Sequence, residues 1–414
     1  MTEYIRPRHI TNALANLPQL VFEVTDACNL NCKYCAYGDL YEDYDKRQNK
    51  KMSFDTARRL IDYLFPFWVS QQNTSSKSIL YISFYGGEPL MNMGLIKKIV
   101  EYTNSLHIPH RHLKFSMTTN AILLEHHMEY LVEKDFSLLI SLDGNKKNNS
   151  YRVDHRGEPS FEKVIRNIDL LAKKHPNYFQ KNVNFNSVLH NRSSVEEIYT
   201  FIKKRYNKIP NISDLNNIGI KKEKQEEFNS MFMSYKESLD SSKEKEEIKN
   251  GQFLKSPDYR NLTIFLRQYS GFAYKDYTDL LFDKSEAAFI PTGTCIPFTR
   301  KLYLSVNGKI LPCERIGQQF YLGEVTDKEV NIDPNAIAKL CNERLSKIES
   351  TCKSCYNKKT CSQCIYNLEG IDKNAYCNGF MDKKSFQLYW EKNIDLIRQN
   401  PYIYKTIMTK VISK

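Results

Sequence analysis

From about residue 18 to 190, short apolar or aromatic runs alternate with longer segments whose apolar side chains recur at helical spacing. That is the pattern of repeated strand-helix units, which build a parallel sheet joined by helical crossovers. Strands are expected near Gln19–Thr25, Ile79–Phe84, Leu113–Met117, Phe136–Leu142 and Val183–Val188. Helices fall between them, at about Leu95–Asn104, Ile122–Lys134, Phe161–Lys174 and Val195–Tyr206. An earlier helix starts at Ser53, whose hydroxyl suits an N-cap, and carries Ala57, Leu60, Ile61, Leu64 and Phe65 on a core-facing stripe. If such units close fully or in part into a barrel, functional residues belong at the C-terminal strand ends.

At 414 residues the chain exceeds one ordinary compact domain. Residues 1–17 read as an N-terminal extension, 18–215 as the α/β domain, 216–290 as a helical bridging region and 291–414 as a second domain. The stretch from Lys221 to Gly251, rich in Lys and Glu, reads as an exposed helix pair, and eight of the eleven cysteines follow Pro291. No apolar run approaches the roughly 18 to 20 residues that span a bilayer. The N-terminus lacks the apolar core and cleavage site of a signal peptide, so a cytoplasmic protein without a membrane partner is expected. In that reducing compartment the cysteines serve metal rather than disulfides. The net charge of +12 permits an acidic partner, but Lys and Arg are spread along the whole chain, so a solvated surface is favoured over nucleic-acid binding.

Cys28, Cys32 and Cys35 directly follow the first strand, on one loop, at intervals of four and three residues. Structural zinc wants four closed ligands, and no nearby His or fourth Cys completes such a set. A four-iron cubane held by three thiolates keeps one iron open. This spacing resembles the signature of the radical S-adenosylmethionine (radical SAM) superfamily, and Tyr34 matches the aromatic position that lies against the cofactor's adenine. The second expected strand runs into Gly86-Gly87-Glu88-Pro89, similar to the family's GGE motif, which binds the amino group of the cofactor's methionine. The resemblance implies a partial TIM-type (β/α)6 barrel. It also brings forward Asn120, Ser141 and Asp143 at later strand ends, Arg152 after the fourth, and Asn186 on the fifth, all as cofactor-contact candidates. Each of these also suits a turn, a cap or a surface position.

Downstream, Cys295 is followed by Gly308 and Cys313, then by Cys352-x2-Cys355-x5-Cys361-x2-Cys364 and a last Cys377. This resembles the SPASM domain, which carries auxiliary [4Fe-4S] clusters, although that family usually places three residues between the last two cysteines of the compact run. The resemblance implies one auxiliary cluster on Cys352, Cys355, Cys361 and Cys377. Cys295, Cys313 and Cys364 contribute to another, with Cys341 either its fourth ligand or a buried free thiol. A pair of zinc ribbons is the competing reading of the same C-x2-C pairs.

The expected cofactors are therefore S-adenosylmethionine and three [4Fe-4S] clusters. The expected activity is that of a radical SAM maturase, which generates a 5′-deoxyadenosyl radical and installs a thioether or carbon-carbon crosslink in a ribosomally made precursor peptide. A flavodoxin or ferredoxin would donate the electron. Only 27 residues precede Cys28, so leader recognition is expected elsewhere or on a separate leader-binding protein. One alternative is an anaerobic sulfatase-maturing enzyme making formylglycine, in which Glu314, directly after the Gly-x4-Cys cysteine, would be the base. The alternative of another class is a non-catalytic zinc or iron-sulfur nucleic-acid-binding protein.

Overall fold

The computed structural model describes residues 3–75, 78–270, 290–368, 370–371 and 376–411. Six parallel strands form in sequence order: β1 (Gln19–Thr25), β2 (Ile79–Gly86), β3 (His112–Thr119), β4 (Ser137–Ser141), β5 (Val183–Val188) and β6 (Asn211–Ser213). Helices cross between them: α1 (Phe54–Val69), α2 (Met93–Asn104), α3 (Leu124–Glu133), α4 (Phe161–Lys174), α5 (Pro176–Asn182) and α6 (Val195–Tyr206). These are the parallel strand-helix units expected from the alternation, in the open arrangement that the resemblance implies. Ser53 accepts from the Thr56 amide at the start of α1, a cap worth about 1 kcal/mol. β1 is buried from Leu20 to Thr25, as a parallel strand covered on both faces must be. Phe22, Phe84 and Phe136 stack in a row, with centroids 6.5 and 5.8 Å apart. The sixth strand escaped the sequence pattern because three residues are too few to show an alternation.

Four further strands lengthen this sheet beyond β1: β7 (Leu302–Leu304), β8 (Lys309–Leu311), β9 (Gly323–Val325) and β10 (Val330–Asn331). β7 pairs parallel with β1, and the other three follow antiparallel. The domain boundary expected at residue 291 is thereby corrected. Residues 297–332 belong with 11–252 in one compact unit, because β7 satisfies the backbone groups on the open side of β1.

The bridging region expected over 216–290 is also divided. The exposed helix pair is three short helices, α7 (Gln225–Met231), α8 (Tyr235–Asp240) and α9 (Lys245–Gln252), and they belong to the sheet-bearing unit. The Ser238 hydroxyl there accepts from the Val195 amide at 2.9 Å. Helix α10 (Pro257–Tyr269) instead belongs to the second unit, residues 1–10, 253–296 and 333–414. Its Leu262, Phe265 and Leu266 are buried with Ile403 and Ile407. Among the described residues that unit also holds α11 (Pro334–Ser346), α12 (Glu349–Ser354), α13 (Lys383–Gln399) and α14 (Pro401–Val411). The part of the expected bridging region at 271–289 lies outside the described residues. Among the described residues no helix is long and apolar enough to cross a membrane.

Candidate iron-sulfur and cofactor site

The cysteine loop leaves β1 and is pinned from two sides. The Gly87 and Glu88 amides donate to the Thr25 and Ala27 carbonyls, each at 2.8 Å, while Asn31 and Lys33 donate to Val153 and Tyr151 at 2.7 and 3.1 Å. The two glycines are required for the first contact. Gly86 has φ 137°, and a Cβ on either residue would stand 2.1 Å from a carbonyl oxygen, of Thr25 or of Ala27. The motif thus works first as a close backbone approach that fixes the loop.

On that loop Cys28, Cys32 and Cys35 are each partly accessible. Burial pushes the Cys28 thiol up to about 11, against the pull of the Leu30 amide and the Arg47 charge, and the Cys32 thiol up to about 12. The Cys35 charge also raises both, and that of Cys28 raises Cys32. Left without a cation such thiols stay protonated. Three thiols on one short, pinned loop, two of them held protonated by burial, suit a cluster iron.

Glu88 does not face open space. Its carboxylate is 1% exposed and accepts from the Thr119 hydroxyl at 2.7 Å and from the Asn120 and Leu90 amides at 2.8 and 3.1 Å. It therefore ties the end of β2 to the end of β3. Asn120 extends this tie to the cysteine loop, donating to the Asn29 side chain at 2.8 Å and lying 3.7 Å from the Cys28 sulfur. Burial raises the Glu88 pKa to about 7, with the three hydrogen bonds opposing. A carboxyl whose folded pKa lies above its unfolded value favours folding most at low pH. Its contribution, of the order of 3 kcal/mol, is lost as pH rises from about 4.5 through about 7. Thermal midpoints measured across that window should fall more steeply for the parent protein than for E88Q; parallel curves would show that Glu88 does not titrate there.

Asp143, Arg152 and Tyr34 meet in one buried group. Asp143 is fully buried and takes two bonds from Arg152, both 2.9 Å, and one from the Val188 amide at 2.9 Å. The Tyr34 hydroxyl also donates to it, and the Arg152 guanidinium lies over the Tyr34 ring. Buried His190 completes the group with its Nε2 3.9 Å from Asp143, its pKa lowered by burial although Asp143 pulls the other way. These side chains orient Tyr34 from behind. Ser141, half-buried, ends β4 opposite Asn186, which is half-buried on β5.

Residues not anticipated from the sequence form a second polar group beside the cysteine loop. Glu23, 1% exposed in the middle of β1, accepts from the Tyr37 hydroxyl at 2.5 Å and the Val306 amide at 2.9 Å. Tyr37 also meets the Tyr303 hydroxyl at 3.1 Å. Tyr85, at the end of β2, has its pKa raised by burial and then by the charges of Glu314, Tyr44, Cys35 and Glu23, and the Tyr44 hydroxyl donates to the Glu314 carbonyl at 3.1 Å. Both Glu314 oxygens are engaged by the Lys301 ammonium, at 3.0 and 2.9 Å. The available signal was Glu23 itself, a carboxylate interrupting the apolar run Leu20-Val21-Phe22-Glu23-Val24.

In the second unit, Cys352, Cys355, Cys361 and Cys377 line one small cavity. Among the described residues no three His, Cys, Asp or Glu groups close tightly enough for a single ion. Zinc would need them within bonds of ~2.3 Å, whereas a cubane presents separate irons to separate thiolates. Cys295 and Cys341 line a neighbouring cavity with Tyr366 and Arg344, and Cys364 feels the charge of Cys295. Cys341 is buried in α11, with its sulfur 3.7 Å from the Tyr366 hydroxyl. Cys313 follows β8, in the sheet-bearing unit.

The model of the Radical SAM superfamily matches residues 22–204. A cysteine-type anaerobic sulfatase-maturating enzyme of Clostridium novyi is 24% identical over 417 residues, covering 95% of this chain and 99% of its own length. An uncharacterised protein of Methanocaldococcus jannaschii is 34% identical over 156 residues, 37% of this chain and 49% of its own, so the match spans about half of that relative. Among solved structures, native anSMEcpe with bound AdoMet superposes with a TM-score of 0.61 at 18% identity, over 94% of this chain and 98% of that one.

Proposed function

The chain is a radical SAM enzyme, using S-adenosylmethionine and a [4Fe-4S] cluster, and from that premise we propose that it matures a ribosomally made peptide by installing a thioether or carbon-carbon crosslink. The observation that carries the reading is the set Cys352, Cys355, Cys361 and Cys377 around one cavity, in a chain that already has a separate three-thiol loop. Bound to that loop, the cofactor supplies abstraction of a hydrogen atom from the substrate.

Cys28, Cys32 and Cys35 would hold the first cluster, with Asn120 and the glycine approach fixing their loop. Tyr34 would lie against the cofactor's adenine, backed by Asp143 and Arg152, with Ser141 and Asn186 at adjoining strand ends. Cys352, Cys355, Cys361 and Cys377 would hold one auxiliary cluster, and Cys295, Cys341 and Cys364 would supply ligands for a second. Forming one crosslink removes two hydrogens from the peptide, one as an atom and one as a proton with its electron. Cys352, Cys355, Cys361 and Cys377 would hold the auxiliary cluster that would supply an acceptor for that electron, and a small electron carrier such as a flavodoxin or ferredoxin would supply the electron for the first cluster.

A second reading, formylglycine formation on a sulfatase, is favoured by the similarity along nearly the full length of the Clostridium novyi enzyme. In it Glu314 would accept the substrate proton, which requires Glu314 to leave its pair with Lys301. Mass spectrometry after anaerobic coexpression separates the two. A short Cys-rich or Gly-rich peptide encoded beside this chain should lose two hydrogens per crosslink, whereas an aldehyde captured by hydrazide on a sulfatase peptide, with the short peptide unchanged, would overturn the first reading.

A further inference from the structure

Arg47 lies on the segment that follows the cysteine loop. Its Nη2 donates to the Cys35 sulfur at 3.0 Å, and the guanidinium sits over the Tyr37 ring, 4.9 Å from the centroid. Its Nε is buried without a hydrogen-bond partner. Tyr37 is in turn held by Glu23 and Tyr303, so the ring that carries the guanidinium is fixed. No carboxylate pairs with Arg47 among the described residues. A partly buried cation with an idle donor and no counter-charge is costly unless an anion completes it.

We propose that Arg47 is a positioning residue for the electron-transfer step: it holds its charge against the Cys35 ligand and favours the reduced state of the first cluster. An iron-sulfur cluster gains one negative charge when it accepts an electron. A fixed positive charge donating to a ligand sulfur stabilises that extra charge more than it stabilises the oxidised form, and so raises the reduction potential. The fork geometry matters, because one edge of the guanidinium reaches sulfur while its face rests on tyrosine. Lysine can offer the charge but not both contacts.

The inference rests on Cys28, Cys32 and Cys35 holding the first cluster, and the test separates the two. The full chain is reconstituted anaerobically and titrated potentiometrically, following the component of the EPR signal that changes when S-adenosylmethionine is added. Absence of that component in the parent protein would sink the ligand assignment itself. With it present, R47Q and R47M are expected to lose at least tenfold in the reduction equilibrium, a downward shift of ~59 mV for one electron, and R47K to fall between them and the parent. Cofactor cleavage by these variants should drop with a weak reductant and recover with a strong one. Unchanged midpoints in R47Q and R47M at full iron content would overturn the proposal. If the uncharged variants do not retain iron, R47K decides, and an unchanged midpoint there contradicts it.

Discussion

Replacing Cys28, Cys32 and Cys35 together by alanine is expected to remove about four of about twelve irons per chain and to abolish S-adenosylmethionine cleavage, leaving about eight irons in place. The expectation follows from where the thiols sit. All three lie on one loop fixed at the end of β1, while Cys352, Cys355, Cys361 and Cys377 surround a cavity in the other compact unit. Loss of the first set therefore need not disturb the second. Iron and sulfide analysis paired with chromatography of 5′-deoxyadenosine reads both effects on one sample. Retention of all the iron in the triple variant would mean that these thiols do not hold a cluster. Complete loss of iron would mean that the sets are not independent.

The D143N substitution is expected to cost about 3–5 kcal/mol of folding free energy, a large share of the roughly 5–15 kcal/mol typical of a domain. The reason is the partner left behind. Arg152 is 7% exposed, with its two donors on Asp143 and its face over Tyr34. Asparagine keeps the shape but leaves the guanidinium without a counter-charge in a site that water does not reach. Pairing D143L with R152M removes both charges together and is expected to recover much of the loss. Denaturant unfolding of the three proteins checks the pattern. A D143N protein as stable as the parent would show that the pair is solvated in solution.

Several strand and helix positions of the sheet-bearing unit were readable from the sequence, whereas the long helices α10, α13 and α14 of the other unit were not expected. β1, β5, α4 and α6 have the bounds expected from periodicity, and Ser53 caps α1 as its hydroxyl suggests. The domain boundary was not readable, because β7 owes its place to pairing with β1 across almost three hundred residues, and nothing local in Leu302–Leu304 announces that partner. Within the site, the cysteine loop and the glycine pair were legible because their spacing is itself the chemistry. The detailed role of Glu88 was not, since only the fold reveals that Thr119 and Asn120 already bond its carboxylate. Arg47, Tyr37 and Tyr303 are single residues without a pattern. Their importance comes from what surrounds them, and a linear sequence does not display it.

The most direct test of the central claim is metal and product analysis of the anaerobically reconstituted parent chain. About twelve irons with matching sulfide, and 5′-deoxyadenosine released when reductant and S-adenosylmethionine are supplied together, are expected. Tightly bound zinc in place of iron, with S-adenosylmethionine left intact under the same reductant, would contradict it.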